Sequence, residues 1–176
     1  MVELIFATDF TDYHRFRSVV ICDTSIQNMK TMSKVEDFLT TEEEQEIVEA
    51  IRMAEKETSG EIRVHIERTT SKVHFDRALE VFHELGMDAT ELKNGVLIYL
   101  AVDDHKFVIC GDKGIDEVVP EDFWDITKNV MAARFKSGNF KQGLIDGITK
   151  AGEQLQQHFP YKAGDTNELT NEISKA

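Results

Sequence analysis

The 176-residue sequence carries 33 Asp and Glu against 20 Lys and Arg, a formal charge of −13, with 41% hydrophobic and 30% charged residues. That length fits a single domain, which buries about 70% of its unfolded surface without needing staples. The acidic balance excludes the clustered Lys and Arg that nucleic acid and anionic membranes require, and no run nears the ~18 apolar residues of a membrane span. Cations, basic partners or plain solubility suit such a surface instead.

Met1–Thr31 shows no clean period, although Ser18–Cys22 has the apolar content of a short strand. Glu3, Asp9 and Asp12 stand where a secretory signal carries basic residues, and no apolar stretch of about 7–15 residues follows. Met32-Ser33-Lys34 reads like an ordinary cytosolic start. Residues 1–31 are therefore expected to be a non-native or disordered extension. Next, Thr41-x-x-Glu44 reads as a capping box, and Ile47, Val48, Ile51 and Ala54 form the apolar stripe of the helix behind it. Ser59-Gly60 ends that helix, with glycine in the left-handed position.

Glu61–Glu67 alternates, with Ile62, Val64 and Ile66 on one face and Glu61, Arg63, His65 and Glu67 on the other. The pattern predicts a strand with one core face and one polar face, on which His65 and Glu67 form a solvated pair. Phe75, Ala78, Leu79, Phe82 and Leu85 mark a second helix that stops at Gly86. Val96–Val102 is a continuous apolar run, the sign of a central strand covered on both faces. Asp103-Asp104-His105 breaks it and Phe107–Cys110 resumes, which predicts a hairpin. Cys110 lies in that second strand, so a buried reduced thiol is expected. Two cysteines without zinc or disulfide spacing point to the cytoplasm.

Gly111–Asp116 is predicted as a loop, and Pro120 opens a third helix with Phe123, Ile126, Val130 and Ala133 on its inner face and Trp124 buried beside them. Ser137-Gly138-Asn139 separates it from a fourth helix, whose stripe is Phe140, Leu144, Ile148, Ala151, Leu155 and Phe159. Pro160 ends that helix, and 161–176 reads as a flexible polar tail. The order α-β-α-β-β-α-α, with a right-handed parallel crossover and an added hairpin strand, gives an α/β fold with a mixed sheet sandwiched between helices.

Several chemistries lack their motifs. Gly111-Asp112-Lys113-Gly114 is too short for a phosphate loop, and neither a nucleophile elbow nor a calcium EF-hand run is present. Histidines at 14, 65, 74, 83, 105 and 158 have no metalloprotease spacing. The acids, by contrast, sort onto two sheet edges about 20 Å apart. Glu61, Asn94, Asp112 and Asp116 gather at one, an oxygen-rich set suited to Ca²⁺ or Mg²⁺. Asp103, Asp104 and His105 lie at the other, outside the carboxyl ends of the parallel strands, which is the alternative metal edge.

Asn94-Gly95-Val96-Leu97-Ile98-Tyr99-Leu100, the Asp103-Asp104 turn, Gly111-x-x-Gly114-Ile115-Asp116, and Phe135-Lys136-Ser137-Gly138-Asn139-Phe140 with Gly143-Leu144 together resemble the TPM domain family over about residues 36–160. The resemblance implies an α/β/α sandwich and divalent-cation binding, as in some members. It also implies an acid phosphatase activity, associated with thylakoid-lumen relatives that assist photosystem II repair. By position, the acid of the family's Gly-x-Gly-Leu-Glu loop falls on Asp116 and the acid after it on Asp122. Here that loop is one residue longer, Asp replaces Glu, and His105-Lys106 stands where the family commonly has Arg. Many relatives carry a signal peptide and membrane anchor; this chain reads as a stand-alone, bacterial-type member without them. The expected function is that of a Ca²⁺-binding accessory module, Ca²⁺ before Mg²⁺, in the cytoplasm, whose partners are the metal and another protein. The alternative is a metal-assisted phosphomonoesterase.

Overall fold

A strand that is apolar at every position needs cover on both faces, and Val96–Val102 receives it. In the computed structural model, which describes residues 18–21, 35–162 and 167–176, the elements in chain order are β1 (Ser18–Ile21), α1 (Thr41–Glu55), β2 (Glu61–Glu67), α2 (His74–Glu84), β3 (Gly95–Ala101), β4 (Lys106–Gly111), the single turn α3 (Lys113–Asp116), α4 (Phe123–Lys136), α5 (Phe140–His158) and β5 (Ser174–Lys175). The strands lie in the order β1-β4-β3-β2-β5. β2 and β3 are parallel, joined by the α2 crossover, and β4 returns antiparallel through the predicted hairpin. β3 is buried along its whole length.

Helices α1, α4 and α5 cover one face of the sheet, where Ile51, Met131, Phe135, Ile148 and Leu155 meet Ile62, Val64, Ile66, Ile98 and Ile109. The other face carries Leu97, Tyr99, Val108 and Cys110 under Phe75, Ala78 and Phe82 of α2 and Met87. The result is the α/β/α sandwich that the residue pattern predicts.

Local details differ from the sequence reading, each for a physical reason. The capping box is one residue earlier: Thr40 is the cap, its hydroxyl accepting from Glu43 N–H at 3.2 Å while Glu43 accepts from Thr40 N–H at 2.9 Å. Gly60 is not left-handed; among the described residues the positive-φ glycines are Gly86 at 69° and Gly138 at 77°. At Gly60 a Cβ would fall 2.5 Å from a Leu155 methyl, so the residue serves close packing of β2's entry against α5. On α4 the buried face is Phe123, Trp124, Thr127, Met131, Ala132 and Phe135, and Ile126 points outward at 45% exposure.

Of the predicted N-terminal extension only Ser18–Ile21 falls within the described residues; these four pair antiparallel with β4 as an edge strand. The flexible tail expected from 161 onward also takes a different form. Residues 167–176 run beside β2, with Ser174 opposite His65 and Lys175 opposite Ile66 in parallel register. Composition alone read that segment as polar, but its polar groups find partners on β2 and α1.

Helix α5 approaches α1 closely at Gly152, where a Cβ would come within 2.7 Å of Ala54 Cβ and 3.4 Å of its Cα. Gly→Ala in a helix interior usually adds up to ~1 kcal/mol. Gly152→Ala is expected to lose that gain and lower the urea midpoint, because neither helix backbone can yield without opening the core.

Candidate metal centre

Strand register places the backbones of three of the four residues in the first set, Glu61, Asn94 and Asp112, around Gly95. Glu61 is the partner of Gly95 on the neighbouring strand, Asn94 directly precedes Gly95, and Asp112 N–H donates to the Gly95 carbonyl at 2.9 Å. Over Gly95 lies Met87, whose carbonyl oxygen would be 3.2 Å from a Cβ placed there. The α3 turn is clamped against the same edge: Gly114 N–H donates to Lys93 O at 2.7 Å, and a Cβ on Gly114 would strike Leu92 O at 2.3 Å.

Each of the three residues around Gly95 uses part of its polar capacity. Glu61 Oε1 accepts Glu168 N–H at 2.8 Å, Asn94 Nδ2 donates to Ser59 O at 3.2 Å, and Asp112 Oδ1 caps α3 by accepting Lys113 N–H at 2.7 Å. The remaining oxygens, Glu61 Oε2, Asn94 Oδ1 and Asp112 Oδ2, are buried without a hydrogen-bond partner. Unpaired buried oxygens are costly and native structures rarely keep them without an ion, water or functional reason. Burial above all raises the Glu61 carboxyl to about 7; the backbone N–H groups of Glu168 and Leu169 and the Arg63 charge pull it down without prevailing, and the Glu168 charge adds to the rise. Asp116 differs: its Oδ1 accepts the Trp124 indole N–H at 2.9 Å. Asp122, at the α4 N-cap, is exposed and makes no side-chain cap bond. Among the described residues no three His, Cys, Asp or Glu side chains form a ligand cluster. The Gly95 set is therefore a mixed one of two carboxylates and an amide.

The opposite edge is structurally occupied. Asp103 Oδ2 accepts Arg68 Nε at 2.8 Å and Nη2 at 2.6 Å. Asp104 accepts the Thr69 hydroxyl at 2.6 Å and Thr70 N–H at 2.9 Å, and lies 2.9 Å from His74 Nε2. Burial works to raise the Asp104 pKa, but those three bonds outweigh it and hold it below the usual carboxylate value. His105 takes the positive-φ position of the turn at 55°. These groups tie the hairpin to the start of α2.

Sequence reasoning missed the charges buried on β2. The polar face expected in solvent is closed: Arg63, His65 and Glu67 are 5%, 3% and 6% exposed. Glu67 accepts from the Tyr99 hydroxyl and from Arg77 Nε at 3.2 Å, and His65 Nε2 is 3.7 Å from Glu67 Oε2. His65 stacks flat on its cross-strand neighbour Tyr99, with centroids 5.8 Å apart. Burial lowers the His65 pKa against the pull of Glu67, so the ring is neutral near pH 7. Burial and the Glu67 carboxylate both push the Tyr99 phenol upward. The one available signal was Arg77, a base on the core-facing side of α2's apolar stripe.

A mixed sheet with a parallel βαβ crossover and a glycine-ringed acidic edge defines an α/β/α sandwich of the TPM type. The TPM domain model matches residues 32–154, and the chain belongs to that family. No curated protein matches it. Among solved structures, the BA42 protein of the psychrophilic bacterium Bizionia argentinensis is 63% identical, with a TM-score of 0.76 over 82% of this chain and 100% of that one. The N-terminal domain of a P. gingivalis protein is 21% identical, with a TM-score of 0.58 over 71% of this chain and 83% of that one, a likeness of fold. No helix among the described residues is long and apolar enough to cross a membrane.

Proposed function

We propose that this chain is a divalent-cation-binding accessory module that takes Ca²⁺ in preference to Mg²⁺ at the Gly95 edge. The observation that carries the reading is the trio of buried, unpaired oxygens on Glu61, Asn94 and Asp112. Ca²⁺ accepts six to eight oxygens in flexible geometry, whereas Mg²⁺ demands a near-ideal octahedron and keeps its water. A mixed set drawn from a strand start, a loop and a helix cap suits the former. Asp116 is the fourth member, and its ligation would compete with its bond to Trp124. Charge neutralisation would stiffen the capped α3 turn, residues 112–117, for a protein partner. The setting is the cytoplasm, where the buried Cys110 thiol stays reduced.

Titration of Ca²⁺ into the full chain, followed by two-dimensional amide NMR, tests this. Saturable shifts are expected at Glu61, Asn94–Val96 and Gly111–Glu117. Asp112→Asn should weaken binding at least tenfold, about 1.4 kcal/mol, with the helices intact. Unchanged affinity in that variant, or shifts centred on Asp103–His105, would overturn the assignment. Metal-dependent hydrolysis of p-nitrophenyl phosphate that disappears in the same variant would replace the accessory module with a metal-assisted phosphomonoesterase.

A further inference from the structure

β2 has two edges, and only one is closed by a long neighbour. β3 pairs along all seven residues of β2, from Glu61 to Glu67, whereas β5 pairs at His65 and Ile66 alone. The Ala176 N–H adds a bond to Ile66 O at 3.2 Å. Toward the start of β2, the Glu55 carboxylate takes the Ile62 N–H at 2.7 Å in place of a strand. Two residues make a marginal strand, and an open sheet edge is a template for an added one.

The segment on that edge is read by its side chains in alternation. Ile173 packs on the α1 side of the core, Ser174 Oγ lies 3.0 Å from His65 Nδ1, and Lys175 pairs with Glu44. Beside it, between α1 and residues 172–175, runs an open groove of about 1020 Å³ lined by Glu42, Glu44, Glu46 and Glu49 with Arg52. Into this acidic wall the chain places its own Glu172, held by Arg52 at 3.4 Å with both side chains more than half exposed. An exposed pair of that kind contributes little. The resident segment is matched to the edge at 173–175 and mismatched in charge at 172.

We propose that the outer edge of β2 is a strand-addition site for an extended basic peptide of another protein, lying parallel to β2, with residues 172–176 as its intramolecular occupant. The peptide carries an aliphatic residue, a Ser or Thr, and a Lys or Arg at three successive positions, with a further base before them facing the α1 carboxylates. Main-chain bonds to Val64 and Ile66 supply affinity and the alternate side chains supply selection. This site meets the cation edge at one point, where the Glu168 N–H reaches Glu61 at 2.8 Å, and its test is run in EDTA so that peptide uptake is read without any bound cation.

The probe is a fluorescein-labelled decapeptide of the 167–176 sequence with lysine in place of both glutamates, added to the full chain. Saturable anisotropy is expected, with amide shifts on Ile62–Ile66 and with the 172–176 amides moving to disordered positions. Glu44→Lys should weaken binding at least tenfold, as should a probe carrying Glu for the lysine after its serine. Ile173→Asp, which loosens the resident segment, should tighten binding at least tenfold; if that variant does not fold, the wild-type shift map decides. Equal binding of the charge-reversed probe, unmoved β2 amides, or no uptake at all would overturn the proposal. A concentration-dependent dimer with exchanged 172–176 segments and no probe uptake would assign the edge to a second copy instead.

Discussion

Arg77→Ala is expected to cost about 3–5 kcal/mol, the loss seen when one partner of a buried ion pair is removed. Arg77 is only 16% exposed at its side chain and Glu67 7%. Burial disfavours the guanidinium, yet its bonds to Glu84 and Glu67 outweigh that and hold its pKa above the usual value. Without it, Glu67 keeps the Tyr99 hydroxyl and loses its counter-charge in a place closed to water. For a domain of this length the thermal midpoint should fall by roughly 10 °C. The exposed Lys72–Glu80 pair is the internal control, since Lys72→Ala should move the midpoint little. Adding Glu67→Gln to Arg77→Ala should recover a good part of the loss, because the stranded charge then disappears. A double variant no more stable than Arg77→Ala would show that Arg77 matters through packing of its stem and its bonds to Glu84, and not through Glu67.

That knot marks where reading the chain stops being sufficient. The alternation in Glu61–Glu67 located a strand and its two faces, and the unbroken Val96–Val102 run located the sheet's centre. Both are properties of a few adjacent residues. What lies over Arg63, His65 and Glu67 is set by Arg77 on the crossover helix and by residues 167–176, about a hundred positions away, and no local period records that. Helix α4 failed differently. Its sequence offers two apolar stripes, one through Phe123, Ile126, Val130 and Ala133 and one through Phe123, Thr127, Met131 and Phe135. Tertiary contacts select the second, among them the edge-on contact of Phe135 with Phe107 at 5.0 Å, the seating of Trp124 against Gly111 and that of Met131 against Gly147. That Glu61, Asn94 and Asp112 lie about Gly95 was legible, because strand ends can be counted. The division of labour within it was not: Asp112 as a helix cap and Asp116 as the Trp124 acceptor depend on α3, a single turn with too few residues to show a period.

Glu55→Gln is expected to stabilise the protein at pH 8 and leave it nearly unchanged at pH 4.5. Burial, as the main cause, and the neighbouring Glu61 charge raise the Glu55 carboxyl from 4.5 to about 7; the bonds from Ile62 N–H and Asn171, and the Arg63 charge, pull the other way without prevailing. An acid raised in the folded state contributes its stability fully below the unfolded value and loses it as pH rises through the folded one. The window is therefore about pH 4.5–7, and across it the wild type should lose on the order of 3 kcal/mol from this group. Glu61, raised to the same value, acts in the same direction. The amide introduced by Glu55→Gln keeps an acceptor for Ile62 N–H without the charge, so the variant should escape its share of the loss. Urea midpoints at pH 4.5, 6 and 8 measure the difference. A gap between variant and wild type that does not widen above pH 6 would mean that Glu55 titrates as an ordinary surface carboxylate. The consequence reaches the edge of β2, because Asn171 donates to Glu55. Ionising Glu55 strengthens that bond while straining the burial around it, so the resident segment is held by a group whose charge is set near neutral pH.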